Sequence, residues 1–168
     1  MAKLPFTKLG LKKNQDIKSL TWNEQVIEIK QYLPMQEKLN LMSKVINLSH
    51  DKDSNYSNPV KVDIYTKLNI IENYTNITFT DKQKEDVCKL YDLFKESGLI
   101  EEIFNVIPEQ EIMEIENSIK KAIKSIYAYQ NSVMGILDNV SSDYSNLNLD
   151  ALNIQEALGD PNNLTLLK

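Results

Sequence analysis

The chain has 168 residues, 42% of them hydrophobic, and a net charge of −5. That length normally makes one domain and is enough to bury a core without covalent staples. The single Cys88 excludes an intramolecular disulfide, and four glycines, Gly10, Gly98, Gly135 and Gly159, cannot write a phosphate-cradling loop.

Charge is unevenly spread. Residues 1–60 carry 9 Lys against 6 acidic side chains, and residues 61–168 carry 10 Lys against 18, so an excess of +3 gives way to −8. All basic residues are lysines. An acidic half without arginine is a poor surface for phosphates, because nucleic-acid binders rest on a clustered basic footprint. Lys8, Lys12, Lys13 and Lys18 form the one basic cluster and read as a solvated arm. No apolar run reaches membrane-spanning length, and Met1 to Gly10 lacks the apolar core of a secretory signal. Cytosolic synthesis, with neither nucleic acid nor membrane as partner, is the expectation.

In chain order, residues 1–16 show no sustained period and read as an N-terminal arm. Alternation from Ile17 to Trp22, a polar turn at Asn23-Glu24-Gln25, and the run from Val26 to Tyr32 predict a β-hairpin. A lone hairpin is marginal in water, so it must pack on helices or pair elsewhere. Pro34 then opens a helix to about Ser49, with Met35, Leu39, Met42, Val45 and Ile46 on one side and Glu37, Lys38 and Lys44 on the other. His50 to Pro59 has the composition of a turn-rich loop. The spacing Val60, Ile64, Leu68, Ile71 predicts a helix closing near Asn76. Thr80 with Gln83 has the form of a capping box, and Val87, Leu90, Tyr91 and Phe94 continue a helix to Gly98. A short helical piece from Leu99 to Ile107 leads to Pro108.

From Pro108 to Val140 the sequence reads as one helix of about 33 residues, roughly 50 Å long. Glu109, Glu111 and Glu114 lie at the positive end of its dipole. Its apolar seam is Ile112, Ile115, Ile119, Ala122, Ile126, Tyr129, Val133, Ile136 and Val140. The interior Gly135 costs about 1 kcal/mol relative to alanine, which points to a backbone coming close. Beyond a loop, Asp150 can cap a short helix from Ala151 to Leu158, and Leu164, Leu166 and Leu167 follow a second start signal at Asp160-Pro161. The expected fold is mainly α: a helical bundle around one long helix, about 108–140, with a small N-terminal β-hairpin. The expected domains are the arm 1–16, a single helical domain 17–158 and a C-terminal tail 159–168. A heptad stripe of this kind serves an intramolecular bundle or a homo-oligomeric coiled coil equally well.

Chemistry-bearing constellations are sparse. Asp51, Asp53 and Asn55 alternate as in a calcium loop, but Tyr56 and Val62 stand where Gly and Glu are needed. His50 is the only histidine, so a multi-histidine zinc site is impossible, and no Gly-x-Ser-x-Gly surrounds any serine. Cys88 reads as a buried or half-buried thiol on an amphipathic helix. The expectation is a protein that is not an enzyme and needs no cofactor.

The order hairpin, proline, amphipathic helix in the run from Ile17 to Leu39 (IKSLTWNEQVIEIKQYLPMQEKL) resembles the opening of tail assembly chaperones of long-tailed bacteriophages. The segments Thr78 to Asp86 (TFTDKQKED) and Tyr127 to Asp138 (YAYQNSVMGILD) are similar to those of small proteins in phages and prophages of low-G+C Gram-positive bacteria. The resemblance implies a mainly helical protein that binds tape measure and tail tube proteins in the cytoplasm of an infected bacterium. It also implies that a longer frameshifted form is common. Candidate partner-binding residues are Met35, Leu39 and Met42, then Ile112, Ile119, Ile126, Tyr129 and Val133 of the seam, and Leu164 and Leu167 of the tail. Two other readings stay open: a structural virion component such as a connector, baseplate or capsid-associated protein, and an acidic inhibitor. The inhibitor would offer Glu101, Glu102, Glu109, Glu111, Glu114 and Glu116 to a host nucleic-acid enzyme.

Overall fold

The computed structural model describes residues 3–51 and 56–137. The chain divides into two compact units, residues 1–123 and 124–168. Within residues 1–123 the fold is mainly helical, with an antiparallel hairpin near the N-terminus. The arm contains one 3-10 turn, Phe6–Leu9, closed by Gly10 in the left-handed region at φ 60°.

Strand β1 (Ile17–Trp22) pairs with β2 (Gln25–Lys30) in a register running from Ile17↔Lys30 to Trp22↔Gln25. The connecting residues Asn23 and Glu24 have φ of 45° and 63°. Positive φ at both positions makes the hairpin twist match the strand twist, and Asn tolerates that region far better than Glu does. Ile27 and Ile29 face the core, with Leu20 and Trp22 packed beside them. The hairpin does pair elsewhere. Ile29 bridges to Thr75, and the Asn76 amide accepts from the Glu28 N–H at 3.1 Å while donating to the Val26 carbonyl at 3.2 Å. Asn76 thus supplies the outer edge of β2 with one donor and one acceptor, as a third strand would.

Helix α1 (Met35–Ser49) follows Pro34, and its buried stripe is Lys38, Leu41, Val45 and Ser49. This differs from the expected apolar face: Met35 and Leu39 turn outward, and Lys38 turns in. Where a turn-rich loop is expected, β3 (His50–Asp51) and β4 (Tyr56–Ser57) form a short antiparallel pair. Helix α2 (Pro59–Tyr74) starts with proline at its first position, and the Asn58 side chain accepts from the Val60 and Lys61 N–H groups. Its second half is buried on every side, through Leu68, Asn69, Ile70, Ile71 and Tyr74. A helix buried all round is a central helix. Within residues 1–123 that role belongs to α2, not to the segment after Pro108.

The capping box forms as expected: Thr80 Oγ1 accepts from the Gln83 N–H and Gln83 Oε1 accepts from the Thr80 N–H, opening α3 (Asp81–Glu85). The expected continuous helix to Gly98 is interrupted. Asp86 leaves helical geometry and caps a new helix, α4 (Val87–Ser97), by accepting from the Lys89 N–H at 3.1 Å. Gly98, at φ 77°, turns the chain into α5 (Leu99–Val106), whose Leu99, Ile100 and Ile103 join the core.

Helix α6 is Glu109–Gln130, 22 residues, shorter than the 33 or so expected. Its Ile115 and Ile119 are buried in the core of residues 1–123, and Ile112 and Ile123 pack against it. The helix stops because Ser132 takes over its end. The Ser132 N–H and Oγ both donate to the Tyr129 carbonyl, at 2.9 and 2.6 Å, and Ser132 Oγ accepts from the Gly135 N–H at 3.1 Å. One serine therefore closes one helix and caps the next, and residues 133–137 are again helical. A Cβ at position 135 would lie 2.1 Å from the Tyr129 carbonyl oxygen, so the backbone that comes close to Gly135 is the chain's own preceding turn. The expected end at Val140, the helix Ala151–Leu158 and the tail 159–168 lie outside the described residues.

Four parts of residues 1–123 meet at a buried charge. Lys38 is 2% exposed; its ammonium donates to Glu111 Oε1 at 2.9 Å and to Glu114, and lies 5.1 Å from the centre of the Tyr32 ring. The other Glu111 oxygen accepts from the Tyr74 hydroxyl at 2.8 Å and from the Leu33 N–H at 3.1 Å. Burial opposes the charge of Lys38, but the hydrogen bonds it donates to Glu114 and Glu111 outweigh it and raise its pKa. Burial likewise pushes Glu111 up, and the hydrogen bonds from Lys38, Leu33 and Tyr74 more than reverse that, so its pKa lies below the ordinary value. Tyr74 is pushed well above its usual range by burial and by the Glu111 carboxylate.

Two outcomes follow for stability. Lys38→Met strands the Glu111 carboxylate and is expected to cost about 3 kcal/mol in urea unfolding, the lower end for breaking a buried pair because Glu114 can reach water. Combining it with Glu111→Gln, which still accepts from Leu33 and Tyr74, should recover at least half of the loss. Because the Glu111 pKa is depressed on folding, its contribution is complete above the unfolded value of about 4.3 and disappears as pH falls through the lower folded value. Glu111→Gln should therefore lose stability less steeply than wild type in acid titrations followed by circular dichroism.

Candidate binding surface

The residues singled out by sequence separate into distinct environments. On α1, Met35 and Leu39 are 50% and 48% exposed, while Met42 packs partly against the core. The spacing of four places Met35 and Leu39 one turn apart on the outer face of the helix. Proline at position 34 starts the helix there, and the inward stripe from Lys38 to Ser49 fixes its rotation.

The seam divides. Ile119 is 1% exposed and belongs to the protein's own core, so it is not an available partner contact, and Ile112 is half-buried against the same core. Ile126, in residues 124–168, is half-buried, whereas Tyr129 and Val133 are 53% and 77% exposed. Met134, Ile136 and Leu137 are exposed beside them in sequence. Leu164 and Leu167 lie outside the described residues.

A further apolar set carries no periodic signal in the sequence. Leu4, Phe6, Leu9 and Leu11 are all exposed, within a segment that also holds Lys3, Lys8, Lys12 and Lys13. Their spacing fits neither a helix nor a strand over any length, so periodicity could not flag them; the density of large apolar residues in an arm was the available signal. Single exposed apolar side chains are ordinary, but several in one short segment mark a contact surface.

The acidic candidates are largely engaged. Glu111 and Glu114 hold Lys38, Glu101 pairs with Lys95, and Glu116 lies 3.7 Å from Lys120. These pairings reduce the negative surface a phosphate mimic would present. His50 Nδ1 is 3.2 Å from Ser57 Oγ across the β3–β4 pair. Among the described residues no group of three His, Cys, Asp or Glu side chains is arranged to hold a metal, and no helix is long and apolar enough to cross a membrane. Residues 52–55, which carry two positions of the calcium-like pattern, lie outside the described residues.

No protein-family model, curated protein or solved structure matches the chain.

Cys88 corrects another expectation. It is exposed on α4, because Leu90 rather than Cys88 takes the inward position on that helix. The native protein should therefore react with one equivalent of a thiol reagent at a rate close to that of the urea-unfolded chain, followed by absorbance. Protection in the native state would contradict the placement of this residue.

Proposed function

We propose that this protein acts by binding other proteins, without catalysing a reaction, and that its setting is phage tail assembly, where it holds tape measure and tail tube subunits in the cytoplasm before the tail is complete. The observation that carries the reading is the amount of large apolar side chain left on the surface: Leu4, Phe6, Leu9 and Leu11 in the arm, Met35 and Leu39 on α1, and Tyr129 and Val133 after the core ends. Flexible methionine and leucine surfaces suit a partner whose sequence varies, because methionine repacks at little cost. An amphipathic helix of the partner, laid along α1, is the recognition mode that two exposed residues one turn apart favour. The specific role rests on the resemblance of residues 17–39 to tail assembly chaperones.

Replacing both Met35 and Leu39 by Asp tests the surface. Exposed positions tolerate such changes within about 0.5 kcal/mol of stability. The melting curve should stay close to wild type while affinity for the cognate tape measure protein, measured by calorimetry, falls by about tenfold or more. Undiminished binding sinks the surface assignment, and finding the chain in stoichiometric amounts in purified virions sinks the chaperone role.

A further inference from the structure

The arm before β1 is basic and apolar at once. Up to Gln15 it holds Lys3, Lys8, Lys12 and Lys13 and no acidic residue. Every residue from Lys3 to Ser19 is exposed, Leu4, Phe6, Leu9 and Leu11 among them, so the arm takes no cover from its own chain. Large apolar side chains gathered in so short a segment gain by meeting a second surface.

A complementary surface stands where the arm is rooted. The Asp16 carbonyl accepts from the Gln31 N–H at 2.9 Å, and Gln31 Nε2 donates to the Val106 carbonyl at 3.2 Å, which pins the arm's base against the end of α5. Beside Gln31 and Val106 lies an open groove of about 490 Å³, walled by Phe104, Val106, Pro108 and Ile112. Phe104, Val106 and Ile112 are only half-buried, so apolar surface is left toward the opening. The charge here is opposite to the arm's: from Glu96 to Ile119 the chain has seven acidic residues and no lysine. Glu109 lines the groove, and Glu102 stands one turn before Val106 on the same face of α5. Both are exposed, and among the described residues neither is in an ion pair. Lys18 is the one cation among the lining residues, two positions from the arm's base.

We propose that this groove takes the arm of a second copy of the chain, so that two copies exchange arms. Phe6, Leu9 and Leu11 cover Phe104, Val106 and Ile112, and Lys8 and Lys12 meet Glu102 and Glu109. Root and groove adjoin on each copy, so one two-fold rotation beside them brings each arm to the other's groove and closes the assembly as a dimer. Extended chain from Phe6 to Gln15 spans up to about 33 Å, enough for the crossing. The lysines alone would suit any anionic surface, an acidic membrane included; the half-covered apolar wall flanked by Glu102 and Glu109 favours the chain itself. The inference stands apart from the tail-assembly reading, because it needs no other protein and its failure leaves Met35 and Leu39 as they are.

Sedimentation equilibrium of the purified full chain tests it. At low ionic strength the chain should form a reversible dimer that added salt weakens. Leu9→Asp with Leu11→Asp, both at exposed positions, should raise the dimer dissociation constant about tenfold or more while the circular dichroism spectrum is retained. Lys8→Glu with Lys12→Glu should weaken the dimer, as should Glu102→Lys with Glu109→Lys, and all four together should restore it, which damage to the fold would not do. A monomer at every concentration, a dimer indifferent to the arm substitutions, or a fourfold variant that stays monomeric would each overturn the proposal. A monomer that sediments with vesicles of anionic phospholipid, and ceases to after Lys8→Glu with Lys12→Glu, would overturn it in favour of a lipid surface.

Discussion

The ion pair of Lys38 with Glu111 and Glu114 is the constraint on which residues 1–123 depend. Removing an ammonium and a carboxylate from water is expensive, and the mutual attraction repays it only when the remaining hydrogen-bonding groups are also satisfied. Here they are: Glu111 takes a backbone N–H from Leu33 and a hydroxyl from Tyr74 in addition to Lys38. Four separate parts of the chain are thereby tied to one carboxylate: the segment after β2, α1, the end of α2, and the first turn of α6. Apolar packing alone would leave the rotation of α1 loosely set, since Met35 and Leu39 are as apolar as Leu41 and Val45 are. The buried charge decides which stripe faces in, because Lys38 reaches its partners only in one orientation.

The hairpin shows the same dependence on distant groups. Its register follows from the two-residue turn at Asn23 and Glu24, but its stability needs Ile27 and Ile29 in the core and the Asn76 amide on the edge of β2. Asn76 stands directly after the end of α2, so the helix that forms the centre of the core also delivers the group that completes the sheet.

Binding as the mode of action is consistent with how apolar surface is distributed. The core of residues 1–123 consumes Ile115 and Ile119, so the seam that looked like one continuous contact surface is half interior. The apolar groups left outside include those of the arm, Met35 and Leu39 on α1, and Tyr129, Val133 and Met134 beyond residue 124, but also Ile17, Val26, Val60, Leu93 and Met113 elsewhere on residues 1–123. Their spread over several elements limits what any single patch can do.

Local signals were legible in the sequence by itself. The mainly helical class, the hairpin, the proline starts at 34 and 59, the capping box at Thr80 and Gln83, and the stop at Gly98 all depend on residues within a few positions of each other, where propensity and capping decide the outcome. Four of the candidate surface residues, Met35, Leu39, Tyr129 and Val133, are exposed, but periodicity marks an apolar face without saying whether it turns to the core or to solvent. Only the tertiary structure decided that Lys38 points inward, that Ile119 is interior, and that Asp86 and Ser132 interrupt helices. Lys38 and Glu111 are 73 positions apart, Asn76 and Glu28 are 48, and no periodicity carries information over such distances. Where two apolar stripes compete on one helix, the choice falls to long-range partners that satisfy a charge or an amide, and those partners meet only once the chain has folded.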